Sequence, residues 1–79
     1  MKINYLKSEN ATITIEYNSN ILKFFKDNLK DIENSGIERI YIKCSNKYLY
    51  NLINILEQFT FNKLNIFIKV YNYQNKNNE

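Results

Sequence analysis

Between Ile37 and Val70 the apolar positions of the chain change period twice. Ile40, Ile42 and Cys44 alternate with Arg39, Tyr41 and Lys43, and a period of two predicts a strand. Leu49, Leu52, Ile53 and Leu56 follow at helical spacing. Leu64, Ile66, Ile68 and Val70 then alternate with Asn65, Phe67, Lys69 and Tyr71. Strand, helix and strand in so little chain make a βαβ unit, which lays parallel strands together and packs the helix on one face.

Upstream, residues 11–17 predict a strand with Ile13, Ile15 and Tyr17 on one face and Thr12, Thr14 and Glu16 on the other. Residues 2–7 predict a shorter strand before it, with Ser8-Glu9-Asn10 as the turn between them. Asn18-Ser19-Asn20 offers N-caps for a first helix, along which Ile21, Phe25, Leu29 and Ile32 form the apolar stripe. Asn34-Ser35-Gly36 ends that helix, and the only glycine suits the left-handed cap. Ser45 or Asn46 caps the second helix, which runs to Glu57 or Gln58. The order is ββαβαβ, and right-handed crossovers place both helices on the same side. The expected fold is an α/β (α+β) two-layer sandwich, a four-stranded mixed sheet with two helices on one face. Residues 1–73 form its single domain and 74–79 a disordered polar tail.

Seventy-nine residues support one core of marginal size, and the 44% apolar fraction is that of a folded chain. Asn, Ile, Lys and Tyr, all with AT-rich codons, are heavily used, so a lysine or asparagine here carries less functional meaning than usual. The net charge of +3 favours solubility and mildly attracts anions, too little to argue nucleic acid alone. One cysteine precludes an internal disulfide. No apolar run reaches the ~20 residues that span a bilayer, and Met1-Lys2-Ile3-Asn4-Tyr5 lacks the apolar core of a signal peptide. A soluble, cytoplasmic chain without a membrane segment is expected.

Histidine is absent, which removes the commonest general base and metal ligand, and a single cysteine cannot build a zinc set. Asp27, Asp31 and Glu33 lie among lysines on the charged side of the first helix and read as solvated. Cys44 ends a strand just before a helix start, a position that lowers a thiol pKa. Cys-x5-Arg phosphatases keep their nucleophile there, but six places on stands Tyr50, and no glycine frees the loop to cradle phosphate. Its periodicity groups Cys44 with Ile40 and Ile42, as a buried structural thiol. No catalytic, cofactor-binding or metal-ligating residues are expected, and the chain reads as no enzyme.

What remains is the sheet face away from the helices. Alternation places Arg39, Tyr41, Lys43, Phe67, Lys69 and Tyr71 there, together with Thr12, Thr14, Glu16 and Asn65. One account of this pattern is β-propensity and lysine stems alone. Aromatics interleaved with cations are also what interfaces use, so these six residues are the candidate partner-binding set. A protein partner is the first expectation, with self-association as a homodimer through that face or an unpaired edge strand beside it. Single-stranded nucleic acid ranks lower: neither Ile40-Tyr41-Ile42-Lys43 nor Ile66-Phe67-Ile68-Lys69 holds the Gly-containing aromatic motif of RNA-recognition folds.

From Arg39 to Phe67 the chain resembles the periplasmic domain of the ExbD/TolR family, the run from Arg39 to Tyr50 being similar to that family's strand, loop and tyrosine at the second helix start; Tyr50 matches that tyrosine. Residues 2–7 look loosely like that family's strand-forming linker, without its proline. The family's transmembrane helix has no counterpart here. The resemblance implies the ββαβαβ order and a non-enzymatic, periplasmic interaction domain that dimerises and pairs through strands. The residues lead first to a non-enzymatic protein-binding module, an inhibitor or immunity factor of phage or mobile-element type that masks a partner's surface. An excised ExbD/TolR-like domain and a single-strand nucleic-acid binder are the alternatives.

Overall fold

The computed structural model describes residues 7–72. The elements are β1 (Lys7–Glu9), β2 (Thr12–Glu16), α1 (Ile21–Glu33), β3 (Arg39–Ser45), a 3-10 turn (Asn46–Tyr48), α2 (Leu49–Leu56) and β4 (Asn65–Tyr71). The strands lie in the order β1-β2-β3-β4; β2, β3 and β4 are parallel. The parallel register lines isoleucines into rows across one face: Ile13, Ile40 and Ile66, then Ile15, Ile42 and Ile68. β-branched side chains pack well in such rows. Ile21, Phe25 and Ile32 of α1 and Leu52 of α2 close over them, forming one core.

The cover is uneven. Ile13, Ile40 and Ile42 are essentially inaccessible, Ile66 and Ile68 are half-buried, and Val70 is exposed. β3, equally seven residues long, lies between β2 and β4, whereas β4 is the edge of the sheet among the described residues.

The expected sheet is corrected. In place of a four-stranded mixed sheet opening on a strand at 2–7, the protein is a small α+β domain with three parallel strands in one sheet and two helices. Among the described residues the only antiparallel pairing is that of the three-residue segment β1 against β2. The crossover helices force the long strands parallel, and the hairpin loop falls later than expected. Ser8 and Glu9 belong to the ladder, while Asn10 (φ 56°) and Ala11 (φ 60°) make the turn. Two residues at positive φ match the twist of a two-residue hairpin loop. Except for Lys7, the expected strand at 2–7 lies outside the described residues, as does the tail expected at 74–79.

Ala11 is an unusual occupant of the left-handed region. It is held there because its carbonyl accepts the N–H groups of Glu38 (2.8 Å) and Arg39 (3.1 Å) at the entry to β3. Glycine adopts this φ without the Cβ penalty, though it loses more entropy on folding. Ala11→Gly is therefore expected to stabilise the domain by ~0.5–1 kcal/mol, read as a higher urea midpoint. A lower midpoint would mean that the methyl group contributes packing worth more than the strain.

The helices depart from their expected ends in detail. Asn20 caps α1 without a side-chain hydrogen bond; Asn18 Oδ1 instead accepts the Asn20 N–H at 2.8 Å. Gly36 does take a left-handed φ of 91°. Within α1 the buried positions are Ile21, Phe25, Asn28 and Ile32, with Leu29 only half-buried. Asn28 is tolerated inside because its Nδ2 donates to the Phe24 carbonyl at 2.9 Å. Glu33 is not merely solvated: its Oε2 accepts the N–H groups of Asn62 (2.7 Å) and Lys63 (3.1 Å), pinning the loop before β4.

Candidate functional site

The face opposite the helices carries no second layer among the described residues. Strand register arranges it in rows: Thr12, Arg39 and Asn65; Thr14, Tyr41 and Phe67; Glu16, Lys43 and Lys69. All six residues expected on this face lie on β3 and β4, and the structure divides them by role.

Tyr41 and Phe67 are direct cross-strand neighbours, with ring centroids 4.9 Å apart and planes at 21°. Rings lying flat side by side on the sheet could not come so close. They stand upright, face against face, and both remain exposed, at 36% and 42%. Lys43 and Lys69 stand beside each other in the next row, both exposed. The ion pairs found among the described residues are Lys23–Asp27 and Arg39–Glu38, so neither lysine has a carboxylate partner there. Like charges directly opposite one another are unfavourable, and an anionic group from outside would relieve them.

Arg39 and Tyr71 are committed to the fold. Arg39 Nε donates to Thr12 Oγ1 (3.1 Å) and Nη2 to the Asn10 carbonyl (2.7 Å), clamping the hairpin loop onto β3. Tyr71 Oη donates to Glu16 Oε2 at 2.9 Å, reaching from β4 over β3 to β2. This hydrogen bond, with lesser contributions from burial and from nearby negative charge, raises the Tyr71 pKa. It also occupies the one carboxylate in the lysine row. Ser45, opposite Tyr71 in register, is buried, and its Oγ has no hydrogen-bond partner among the described residues.

Cys44 is fully buried, with its thiol 3.2 Å from the Ser45 carbonyl. Burial, and secondarily the charge of Glu16, push its pKa up from the usual 9.0. A 3-10 turn leading into α2, rather than the first turn of an α-helix, follows β3. Native Cys44 is expected to resist iodoacetamide at pH 8 and to react on unfolding in urea. Because the folded state holds the Cys44 and Tyr71 protons more tightly, their stabilisation is complete below the unfolded pKa values. It is lost as pH rises through the folded ones. Melting temperature should therefore fall above pH 9.0, with Cys44→Ala removing the first part of the decline. Tyr71→Phe should remove the part above pH 10.0. A flat profile to pH 11 would contradict both shifts.

Two further features escaped the sequence reading. Tyr17 and Tyr48 stack at the C-terminal end of the sheet, with centroids 5.4 Å apart and Lys47 Nζ 5.5 Å from the Tyr48 ring. A shallow recess beside them is lined by Asn18, Ser19 and Asn51. At the opposite end lies an open recess between Glu33, Gly36 and Lys63. Open parallel sheets bind ligands where the strand order reverses. Here the order advances in one direction, so no such crevice forms. Among the described residues, no three Cys, Asp or Glu side chains cluster as metal ligands, and no helix is long and apolar enough to cross a membrane.

No known family matches the chain, and neither a curated protein nor a solved structure shows significant similarity to it.

Proposed function

We propose that this protein is a small non-enzymatic binding module that covers a partner protein's surface with its open sheet face. Inhibitors and immunity factors of phage and mobile elements are of this kind. The observation that carries the reading is the stacked, half-exposed Tyr41–Phe67 pair on the face opposite the helices, next to two lysines that have no carboxylate partner among the described residues. A central aromatic anchor ringed by charge is the composition of an interface hot spot. The resemblance to the ExbD/TolR interaction domain leads to the same class of function by a different route.

Single-stranded nucleic acid is the less favoured occupant on geometric grounds. Base-stacking platforms present ring faces to solvent, whereas Tyr41 and Phe67 spend one face each on the other. The test is capture from extract of the native host, run with and without nuclease treatment. Wild type should retain a defined protein that Tyr41→Ala, checked for folding, does not. Retention by both would show that the open face is idle, and retention abolished by nuclease would favour nucleic acid.

A further inference from the structure

Among the described residues β1 and β4 are the edges of the sheet. On one side β1 contributes three residues, Lys7, Ser8 and Glu9. On the other, β4 presents seven residues, paired with β3 position for position without a bulge. Exposed edges are normally blunted by short strands, charges, proline or bulges, because unpaired backbone groups recruit further strands. Of these devices β4 carries only the charge of Lys69. Its run Ile66-Phe67-Ile68-Lys69-Val70-Tyr71 is apolar or aromatic on both faces, the pattern of an interior strand of a parallel sheet. Phe67, Val70 and Tyr71 are each more than two-fifths exposed. Among the described residues nothing pairs with the outer side of β4.

We propose that the β4 edge is completed by a second copy of this chain. The two β4 strands run antiparallel about a two-fold axis perpendicular to the sheet at Ile68. The choice of occupant rests on the strand's complementarity to itself. In this register Asn65 lies opposite the partner's Tyr71, Ile66 opposite the partner's Val70, Phe67 opposite the partner's Lys69, and Ile68 opposite its own copy. Every pair shares a face, all seven residues are used, and the lysines avoid each other. Each Lys69 meets the outer face of the partner's Phe67, the one its stack with Tyr41 leaves free, where a cation is attracted by the ring. Moving the axis to Lys69 would oppose the two lysines; moving it to Phe67 would leave Val70 and Tyr71 unpaired. The dimer has one continuous sheet, both helical layers on the same side, and a doubled aromatic strip across the open face. With seven residues a side, against the roughly 20–30 of a standard interface, it is a reversible dimer. The edge shares Phe67 and Lys69 with the face, but its readout is self-association, which does not depend on the function proposed for the face.

Sedimentation equilibrium of the full chain from about 10 μM to about 1 mM tests it, since Kd is expected to lie in the micromolar-to-millimolar span. Wild type should move from monomer to dimer across that range. Phe67→Lys places a lysine opposite the partner's Lys69 twice and should leave a monomer, while Phe67→Lys combined with Lys69→Glu should restore the dimer. In a Cys44→Ala background, an oxidised mixture of Asn65→Cys and Tyr71→Cys chains should cross-link where Asn65→Cys alone does not. A strict monomer at the highest concentration overturns the proposal. So does a dimer that is indifferent to the charge exchange and gives no mixed cross-link.

Discussion

Phe25→Ala is expected to remove much of the stability of the domain. Phe25 is wholly inaccessible in the middle of α1 and sits against three other rings. Its centroid is 5.4 Å from Phe24, 5.7 Å from Phe59 and 5.9 Å from Phe61. Truncating a buried phenylalanine costs ~3–5 kcal/mol in transfer and cavity terms. A domain of this length has ~4–12 kcal/mol in all, so the loss consumes much of the total. Phe59 and Phe61 lie in the irregular segment between α2 and β4, so the cavity also loosens the approach to β4. At a urea slope of ~1 kcal/mol per M, the midpoint by far-UV circular dichroism should fall by ~3 M or more. Phe25→Leu keeps most of the volume and should lose under about half as much. A midpoint shift below ~1 M for alanine would mean that the aromatic cluster is not the keystone of this core.

How far the fold could be read from the chain differs by element. Ile40, Ile42, Leu52, Ile66 and Ile68 were legible because burial of one face imposes a period that single residues report. Tyr41 and Phe67 followed from the same alternation, and their contact needed only that β3 and β4 be neighbours. Asn28 was not legible, because an asparagine enters a core only if a local carbonyl, here that of Phe24, satisfies it. Phe59 and Phe61 carry no period, so nothing local announced that they close over Phe25. The hairpin turn was misplaced because Ser8 and Asn10 are both turn-prone. The deciding restraint is the hold of Glu38 and Arg39 on Ala11, which is distant in sequence. Arg39 and Tyr71 were legible as residues of the face but not in their roles. Each is tied by a hydrogen bond that only the assembled sheet creates, Arg39 to Thr12 and Tyr71 to Glu16.

Replacing Tyr41 and Phe67 together by alanine is expected to weaken partner binding about thirty-fold or more while the fold survives. Both rings are partly exposed, and losing their stack costs the domain ~0.5–1.5 kcal/mol. A central aromatic truncated in an interface costs ~2 kcal/mol or more in binding, about thirty-fold in affinity. The two rings touch, so their effects will not add, and the double variant measures the anchor as a unit. Lys43→Glu with Lys69→Glu is the companion, and the two outcomes separate the classes of partner. Against a protein, rim charges mainly alter the association rate and salt response, and affinity changes little. Against single-stranded nucleic acid, removing one phosphate-binding lysine flattens the dependence of log affinity on log salt by ~0.7, and removing both flattens it by ~1.4. Tyr41→Ala alone completes the set, because Tyr41 lies on β3, away from the β4 edge, whereas Phe67 borders it. Loss of binding in Tyr41→Ala with self-association intact assigns the effect to the face. Full binding in the aromatic double variant, with loss confined to the lysine pair and steep in salt, would replace the protein partner with nucleic acid.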